Sequence, residues 1–87
     1  MTNKLVIYTG LKEGYMPLEN NLKVFRAKKS RNQSDLGKQV GVSRQTISSI
    51  ERGEYNPSII LALKIAEVFN TTVEDLFTYI KEDSDEY

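Results

Sequence analysis

The sequence contains neither cysteine nor histidine. Without them the chain cannot form a disulfide, a reactive thiolate or an imidazole acid–base pair, and it lacks the usual ligands of zinc. There is also no glycine-rich loop that could cradle phosphates, and no pair of carboxylates at a credible catalytic spacing. The sequence therefore predicts no catalytic residue, no metal site and no cofactor, which argues against an enzyme. A chain without cysteine suits the reducing cytoplasm, the compartment that we expect.

Long hydrophobic runs are missing as well. A membrane-spanning helix needs about 18 apolar residues, and the longest apolar stretch, residues 59–69, is interrupted by Lys64 and Glu67. Near the N-terminus the first basic residue is followed by only a short apolar run, so we expect no signal peptide. The 87 residues form one domain at most. Their content of 39% hydrophobic and 28% charged residues is ordinary for a globular protein.

The chain has no excess of either charge, but its charges are segregated. Twelve basic and twelve acidic residues cancel overall. Residues 20–53 hold eight basic and two acidic residues, a net charge of +6, whereas residues 54–87 hold two basic and eight acidic ones, a net charge of −6. A neutral protein with one basic half can bind a polyanion through that half. The alternative is a solvated surface whose charges are segregated without a binding role.

Two segments have the composition of a strand. Residues 4–9 are rich in β-branched and aromatic side chains and are followed by Gly10, which is typical of a strand and its end. The other segment is residues 77–80. Because an isolated strand is unstable, we expect the two segments to pair as a small antiparallel sheet. The alternative is that residues 77–80 continue the last helix.

Five helices are predicted from apolar periodicity and from helix start signals. Asn32, Ser43, Ser58 and Thr72 each precede a helical pattern and suit the N-cap position. Asp35, three residues after Asn32, completes an approximate capping box. The helices are expected from residue 20 or 21 to 29, and over residues 33–40, 44–52, 59–69 and 73–77. The sequence thus predicts an all-α fold of five helices, with a possible two-stranded antiparallel sheet from the N- and C-terminal segments.

The second and third helices are separated by only Gly41, Val42 and Ser43, which is typical of a helix-turn-helix. The third helix has a narrow apolar stripe, Ile47 and Ile50, and its other side chains are mostly hydrogen-bonding groups of short or medium length. Arginine can pair with guanine and glutamine with adenine, and threonine can touch the methyl group of thymine. This face therefore indicates a helix that reads base edges in the major groove, with the preceding helix across the DNA backbone.

The same stretch resembles the phage repressor/Cro-type helix-turn-helix regulators. The resemblance rests on QSDLG at 33–37, VGVSRQTIS at 40–48 and IERG at 50–53, and it continues through NPS at 56–58, LALKIA at 61–66 and TVEDLF at 72–77. The small stand-alone bacterial members look most similar. The resemblance implies a five-helix lambda-repressor-like DNA-binding domain and a role in transcription regulation. Segment 1–19 is longer than such members need, and Gly37 stands where they usually have alanine.

The resemblance also implies roles for individual residues. The base-reading positions of the family match Arg44, Gln45 and Ser49, with Thr46 and Ser48 as second choices. Contacts with DNA phosphates are implied for Gln33, Lys38, Ser43, Arg52, Tyr55 and Asn56. Phosphate contacts position the protein, whereas base contacts select the sequence. Arg26 and Glu51 match a partly buried ion pair of the family, so we expect them to be structural.

The fourth helix is apolar around much of its circumference. A core stripe at helical spacing is predicted for Ile59, Ala62, Leu63, Ala66 and Phe69 or Asn70. Leu61, Ile65 and Val68 lie largely outside that stripe, and either the predicted sheet or a second copy of the chain must cover them. Because two-fold symmetric DNA readers bind two half-sites, we expect a homodimer. Its interface is expected on the fifth helix, the end of the fourth helix and the residues that follow.

These observations favour a sequence-specific transcriptional repressor that binds a double-stranded dyad operator and blocks polymerase. The chain would comprise an extension at residues 1–19, the DNA-binding domain at 20–81 and an acidic tail at 82–87. The alternative is the antitoxin of a toxin–antitoxin pair that represses its own operon. In that case the extension and the acidic tail would contact the protein partner.

Overall fold

In the computed structural model, which describes residues 17–81, five helices and two short strands follow one another along the chain. They are β1 (Leu18–Asn20), α1 (Leu22–Lys28), α2 (Gln33–Val40), α3 (Arg44–Glu51), α4 (Ile59–Val68), α5 (Val73–Leu76) and β2 (Phe77–Tyr79). The two strands form an antiparallel sheet. The predicted fold of five helices with a small two-stranded sheet is therefore confirmed. None of the helices in this part of the chain is long and apolar enough to cross a membrane.

The sheet uses a different N-terminal partner from the expected one. Leu18 lies opposite Tyr79 and Asn20 opposite Phe77. The sequence predicts these N-terminal residues in the extension and at the start of the first helix, and the structure has them in β1 instead. The predicted strand at residues 4–9 lies outside the described residues. The alternative that residues 77–80 continue the last helix is wrong, because Phe77 is extended, with φ −126° and ψ 139°. The Ile80 amide closes this end of the sheet by donating to the Pro17 carbonyl oxygen at 2.5 Å.

The helix starts follow the predicted caps. The Asn32 side chain accepts from the Asp35 amide at 2.8 Å, and the Asp35 carboxylate accepts from the Asn32 amide at 3.3 Å, which completes a capping box. The hydroxyls of Ser43, Ser58 and Thr72 each accept a backbone N–H of the first turn of their helices. These bonds satisfy amides that have no partner inside a helix. Only α1 differs, since Asn20 accepts the Leu22 amide at 3.1 Å in place of a cap by Asn21.

The turn between α2 and α3 is tight because two glycines allow it. Gly41 has a φ of +83°, in the left-handed region that glycine adopts most easily. At Gly37, a Cβ atom would lie 2.7 Å from the Val42 carbonyl oxygen. That oxygen belongs to the backbone of the turn, so the alanine usual in the family would push the turn away from α2. The glycine at this position therefore lets α2 and the turn approach closely.

The core includes only part of the predicted stripe of α4. Leu61, Ala62 and Ile65 are buried in the domain itself, whereas Ile59 and Leu63 are 72% and 55% exposed. Of the predicted stripe, Ala62, Ala66 and Phe69 are buried. The prediction for Ile59 and Leu63 is wrong, and Leu61 and Ile65, expected outside the stripe, belong to the core. Because α4 is apolar nearly all round, its period alone does not select the buried side. Packing against α2 and α5 selects it instead.

Candidate nucleic-acid interface

The buried side of α3 determines which of its side chains face the surface. Ile47 and Ile50 are almost completely buried in the core, which fixes the rotation of α3 about its own axis. Successive turns then place the polar side chains of α3 toward the surface. Arg44 and Gln45 are exposed in the first turn. Within residues 17–81, neither side chain makes a hydrogen bond or an ion pair.

The other predicted base-reading residues are less exposed and form hydrogen bonds within the protein. Thr46 is half-buried, and its hydroxyl lies 3.1 Å from the hydroxyl of Ser43, the N-cap residue of α3. Ser48 and Ser49 are also half-buried, and both hydroxyls accept from the guanidinium of Arg52. The structure therefore separates two exposed side chains at the start of α3, which have no partner among the described residues, from three short hydroxyls that have one.

Arg26 and Glu51 form an ion pair between α1 and α3. The Arg26 Nε donates to Glu51 Oε2 at 2.6 Å and its Nη2 to Oε1 at 3.1 Å. The two side chains are only 13% and 8% exposed. The hydrogen bond to Glu51 raises the pKa of Arg26 above its ordinary value, with desolvation acting against it. A third bond, from Arg26 Nη1 to the Arg31 carbonyl oxygen at 3.0 Å, also fixes the end of α1.

Gln33 joins this ion pair from the first turn of α2. Its Nε2 donates to Glu51 Oε1 at 3.0 Å, so the side-chain amide expected at a DNA phosphate is occupied inside the protein. Glu51 thereby receives donors from α1 and α2 while it belongs to α3. The network sets the relative positions of the three helices, and with them the direction in which α3 faces.

A helix-ending turn brings Glu54 back to α3. Gly53 has a φ of +78°. The Gly53 amide donates to the Ile50 carbonyl oxygen at 3.0 Å and the Glu54 amide to the Ser49 carbonyl oxygen at 2.9 Å, which is the Schellman pattern. The Glu54 carboxylate then accepts from Arg52 Nη2 at 3.0 Å. The hydrogen bond to Arg52 holds the pKa of Glu54 below its usual value, and the same bond raises the pKa of Arg52.

An open concavity of about 410 Å³ lies along this surface. It is lined by Ser43, Gln45, Thr46, Ser49, Arg52, Glu54 and Tyr55. The structure thus brings together three of the predicted base-reading residues and three of the predicted phosphate contacts. Lys38 and Asn56 are exposed but do not line the concavity, and neither does Arg44.

The comparisons with known proteins agree with this architecture. A family model described as helix-turn-helix matches residues 22–76, the whole stretch from α1 to α5. The chain is a member of the phage repressor/Cro-type helix-turn-helix family. It is accordingly a transcriptional regulator with a helix-turn-helix DNA-binding domain, and α2 and α3 are the two helices of the motif.

Relatives of this helix-turn-helix regulator come from archaea and bacteria. An HTH-type transcriptional regulator of Methanocaldococcus jannaschii is 52% identical over 62 residues, which cover 71% of this chain and 94% of the relative. One of Bacillus subtilis is 47% identical over 60 residues, which cover 69% and 91%. Among solved structures, the P22 c2 repressor in complex with a synthetic operator has a TM-score of 0.59 at 32% identity, covering 61% of this chain and 80% of that one.

Glu54 is the residue at this surface that sequence reasoning missed. It is an acidic side chain in a concavity whose other members were predicted to contact DNA. The available signal was Gly53, because a glycine that ends a helix in the left-handed region turns the next residue back toward the last turn. An acidic residue directly after such a glycine is therefore a candidate partner for a cation at the end of the helix.

Proposed function

We propose that this helix-turn-helix regulator is a sequence-specific repressor that reads base edges in the major groove with the first turns of α3. The observation that carries the proposal is that Arg44 and Gln45 are exposed without a partner in the described chain. Arginine suits guanine and glutamine suits adenine. Ser49 lies farther along the same surface, with Thr46 and Ser48 as further candidates. Occupation of an operator that overlaps a promoter would block polymerase, and the protein would act in the cytoplasm.

The phosphate contacts are proposed for the residues around α3. Ser43, Arg52 and Tyr55 line the concavity, and Lys38 and Asn56 are exposed beside the motif. At Gln33 the side-chain amide already binds Glu51, so the proposal there relies on the backbone amide of the first turn of α2. A phosphate at a helix N-terminus meets free N–H groups and the positive end of the helix dipole.

We place a homodimer interface on the apolar groove between α4 and the sheet. Its volume is about 690 Å³, and its lining includes Leu18, Ile59, Leu63, Phe77 and Tyr79. Ile59, Leu63 and Tyr79 are exposed in the single chain. A cluster of this kind on a small domain is typical of a protein contact. The expected occupant is a second copy, because a two-fold reader needs two copies of α3. The interface thus reaches farther toward the start of α4 than the sequence predicted.

Selection of bound sites from random-sequence DNA tests the repressor proposal. The expected product is a dyad with two half-sites whose centres are about 10–10.5 base pairs apart, or a multiple of that spacing. Enrichment of no sequence, or of a single asymmetric site without a dyad, would contradict the proposed mode of binding. Placing the selected dyad across a promoter, with transcription measured in vitro, then tests repression itself.

The Leu63→Lys substitution tests the interface. It places a charge in the apolar groove, and we expect the dimer to dissociate at a concentration at least about tenfold higher than the wild type requires. Sedimentation equilibrium without DNA measures this. The matched control is Val24→Lys, since Val24 is an exposed apolar residue on α1 outside the groove. Equal dissociation constants for both variants and the wild type would rule out this interface.

A further inference from the structure

We infer that Glu54 restrains Arg52 and thereby lowers the affinity of the protein for DNA of arbitrary sequence. Glu54 would thereby raise the preference for a specific site over arbitrary sequence, although its own side chain contacts neither a phosphate nor a base. The inference rests on the proposed DNA interface. It concerns how one of its cations is held before DNA arrives.

The contacts of Arg52 show that its guanidinium is committed to the protein surface. Nη1 donates to the Ser48 hydroxyl. Nη2 donates to Glu54 Oε1 at 3.0 Å and lies 3.4 Å from the Ser49 hydroxyl. The side chain therefore lies along the outer surface of α3, with both terminal nitrogens engaged. A phosphate that binds Arg52 must replace at least part of this set.

The pair lies where DNA would arrive. Both Arg52 and Glu54 line the concavity, and their side chains are 53% and 56% exposed. An exposed ion pair adds little free energy because water and salt compete with it. The contacts with Ser48, Ser49 and Glu54 together orient Arg52 in the free protein. The pair with Glu54 is nevertheless weak enough to be exchanged for a well-placed phosphate. Until that exchange occurs, Arg52 is held on Glu54 and makes no contact with a phosphate of the duplex.

This arrangement weakens the two kinds of DNA complex unequally. Binding to arbitrary sequence depends almost entirely on cations that displace counterions from the phosphates. A complex held only in this way is loosely registered, so no phosphate is fixed well enough beside Arg52 to displace Glu54, and the pair persists. At a specific site, base contacts by α3 select one position along the duplex, and the phosphate contacts then hold the protein there in a single orientation. A phosphate is then held near Arg52 and can take over the guanidinium from Glu54.

The Glu54→Gln substitution tests the inference with little change in shape. Affinity for a labelled duplex of arbitrary sequence is measured by fluorescence anisotropy at about 50 to 200 mM salt. One additional phosphate contact should raise this affinity up to about tenfold at the lowest salt and steepen the logarithmic salt slope by about one. Affinity for the selected operator should rise less, so the ratio of specific to non-specific affinity should fall. Equal gains on both duplexes, or no gain on either, would overturn the inference.

A double-mutant cycle shows whether Glu54 acts through Arg52. In an Arg52→Gln background, Glu54→Gln should leave the affinity for arbitrary sequence nearly unchanged. A gain of the same size in both backgrounds would mean that Glu54 acts as a general repulsive charge, and the inference would be wrong. Glu19→Gln is the charge-matched control, since Glu19 is exposed on β1, lines neither the concavity nor the proposed dimer groove, and should have little effect. A wild-type protein that binds no duplex would instead overturn the proposed function as well.

Discussion

Replacing Glu51 by alanine is expected to lower the free energy of unfolding by about 3 kcal/mol or more, because it leaves the guanidinium of Arg26 buried without a carboxylate. The Arg26 side chain is only 13% exposed, so water solvates its unpaired charge poorly. Gln33 loses its acceptor at the same time. For a domain of this size the change corresponds to a fall in melting temperature of at least about 12 °C. Thermal unfolding followed by circular dichroism measures it.

The matched control removes both charges together. A variant with Arg26→Leu and Glu51→Leu leaves no unpaired charge, and apolar replacement of both partners is often tolerated. We expect it to melt above the Glu51→Ala variant. If Glu51→Ala melts within a few degrees of the wild type, the ion pair does not hold α1 and α3 together as described. If the double variant is the less stable of the two, the loss comes from the hydrogen bonds rather than from a stranded charge.

Replacing Arg44 by alanine is expected to weaken binding to the selected operator by about 1–3 kcal/mol and to relax the preference at one base position of each half-site. The reason is that an exposed guanidinium in the first turn of α3 can make two parallel hydrogen bonds with guanine. Affinities for the operator and for each single-base variant of it measure both effects. The stability should change little, since the Arg44 side chain makes no hydrogen bond or ion pair with the described residues.

Lys38→Ala is the control for the contribution of charge alone. Lys38 is exposed at the end of α2 and is proposed to contact a phosphate. Its loss should weaken binding to all DNA sequences alike and reduce the logarithmic salt slope of the affinity by about one. If Arg44→Ala behaves in the same way and weakens binding to every DNA sequence equally, then Arg44 contacts the DNA backbone and the base-reading assignment is wrong.

The helix boundaries and the motif could be predicted because their signals are local. A side-chain oxygen at Asn32, Ser43, Ser58 or Thr72 can accept an amide of the following turn, and the structure has that bond at each position. Such bonds join residues only three positions apart, so they can be predicted without any knowledge of tertiary contacts. The narrow apolar stripe of α3 also predicted its buried side correctly, since Ile47 and Ile50 are in the core.

What could not be predicted depends on contacts between distant residues. The buried side of α4 was ambiguous because apolar residues surround it, and only the packing of α2 and α5 leaves Ile59 and Leu63 outside. The strand β1 has the sequence Leu-Glu-Asn, which carries no strand signal of its own. Pairing with β2 makes it a strand. The side chain of Gln33 binds Glu51, 18 residues away, and no local pattern indicates that bond.

Mapping backbone amides by NMR while the selected operator duplex is added tests the central claim most directly. The account predicts that the largest shift changes fall on the amides from Ser43 to Ser49, with smaller changes from Arg52 to Asn56 and at the start of α2. Amides of α5 and β2 should change little. Large changes confined to α4, α5 and the sheet, with the signals of α3 unmoved, would contradict the claim that the outward side of α3 enters the DNA groove.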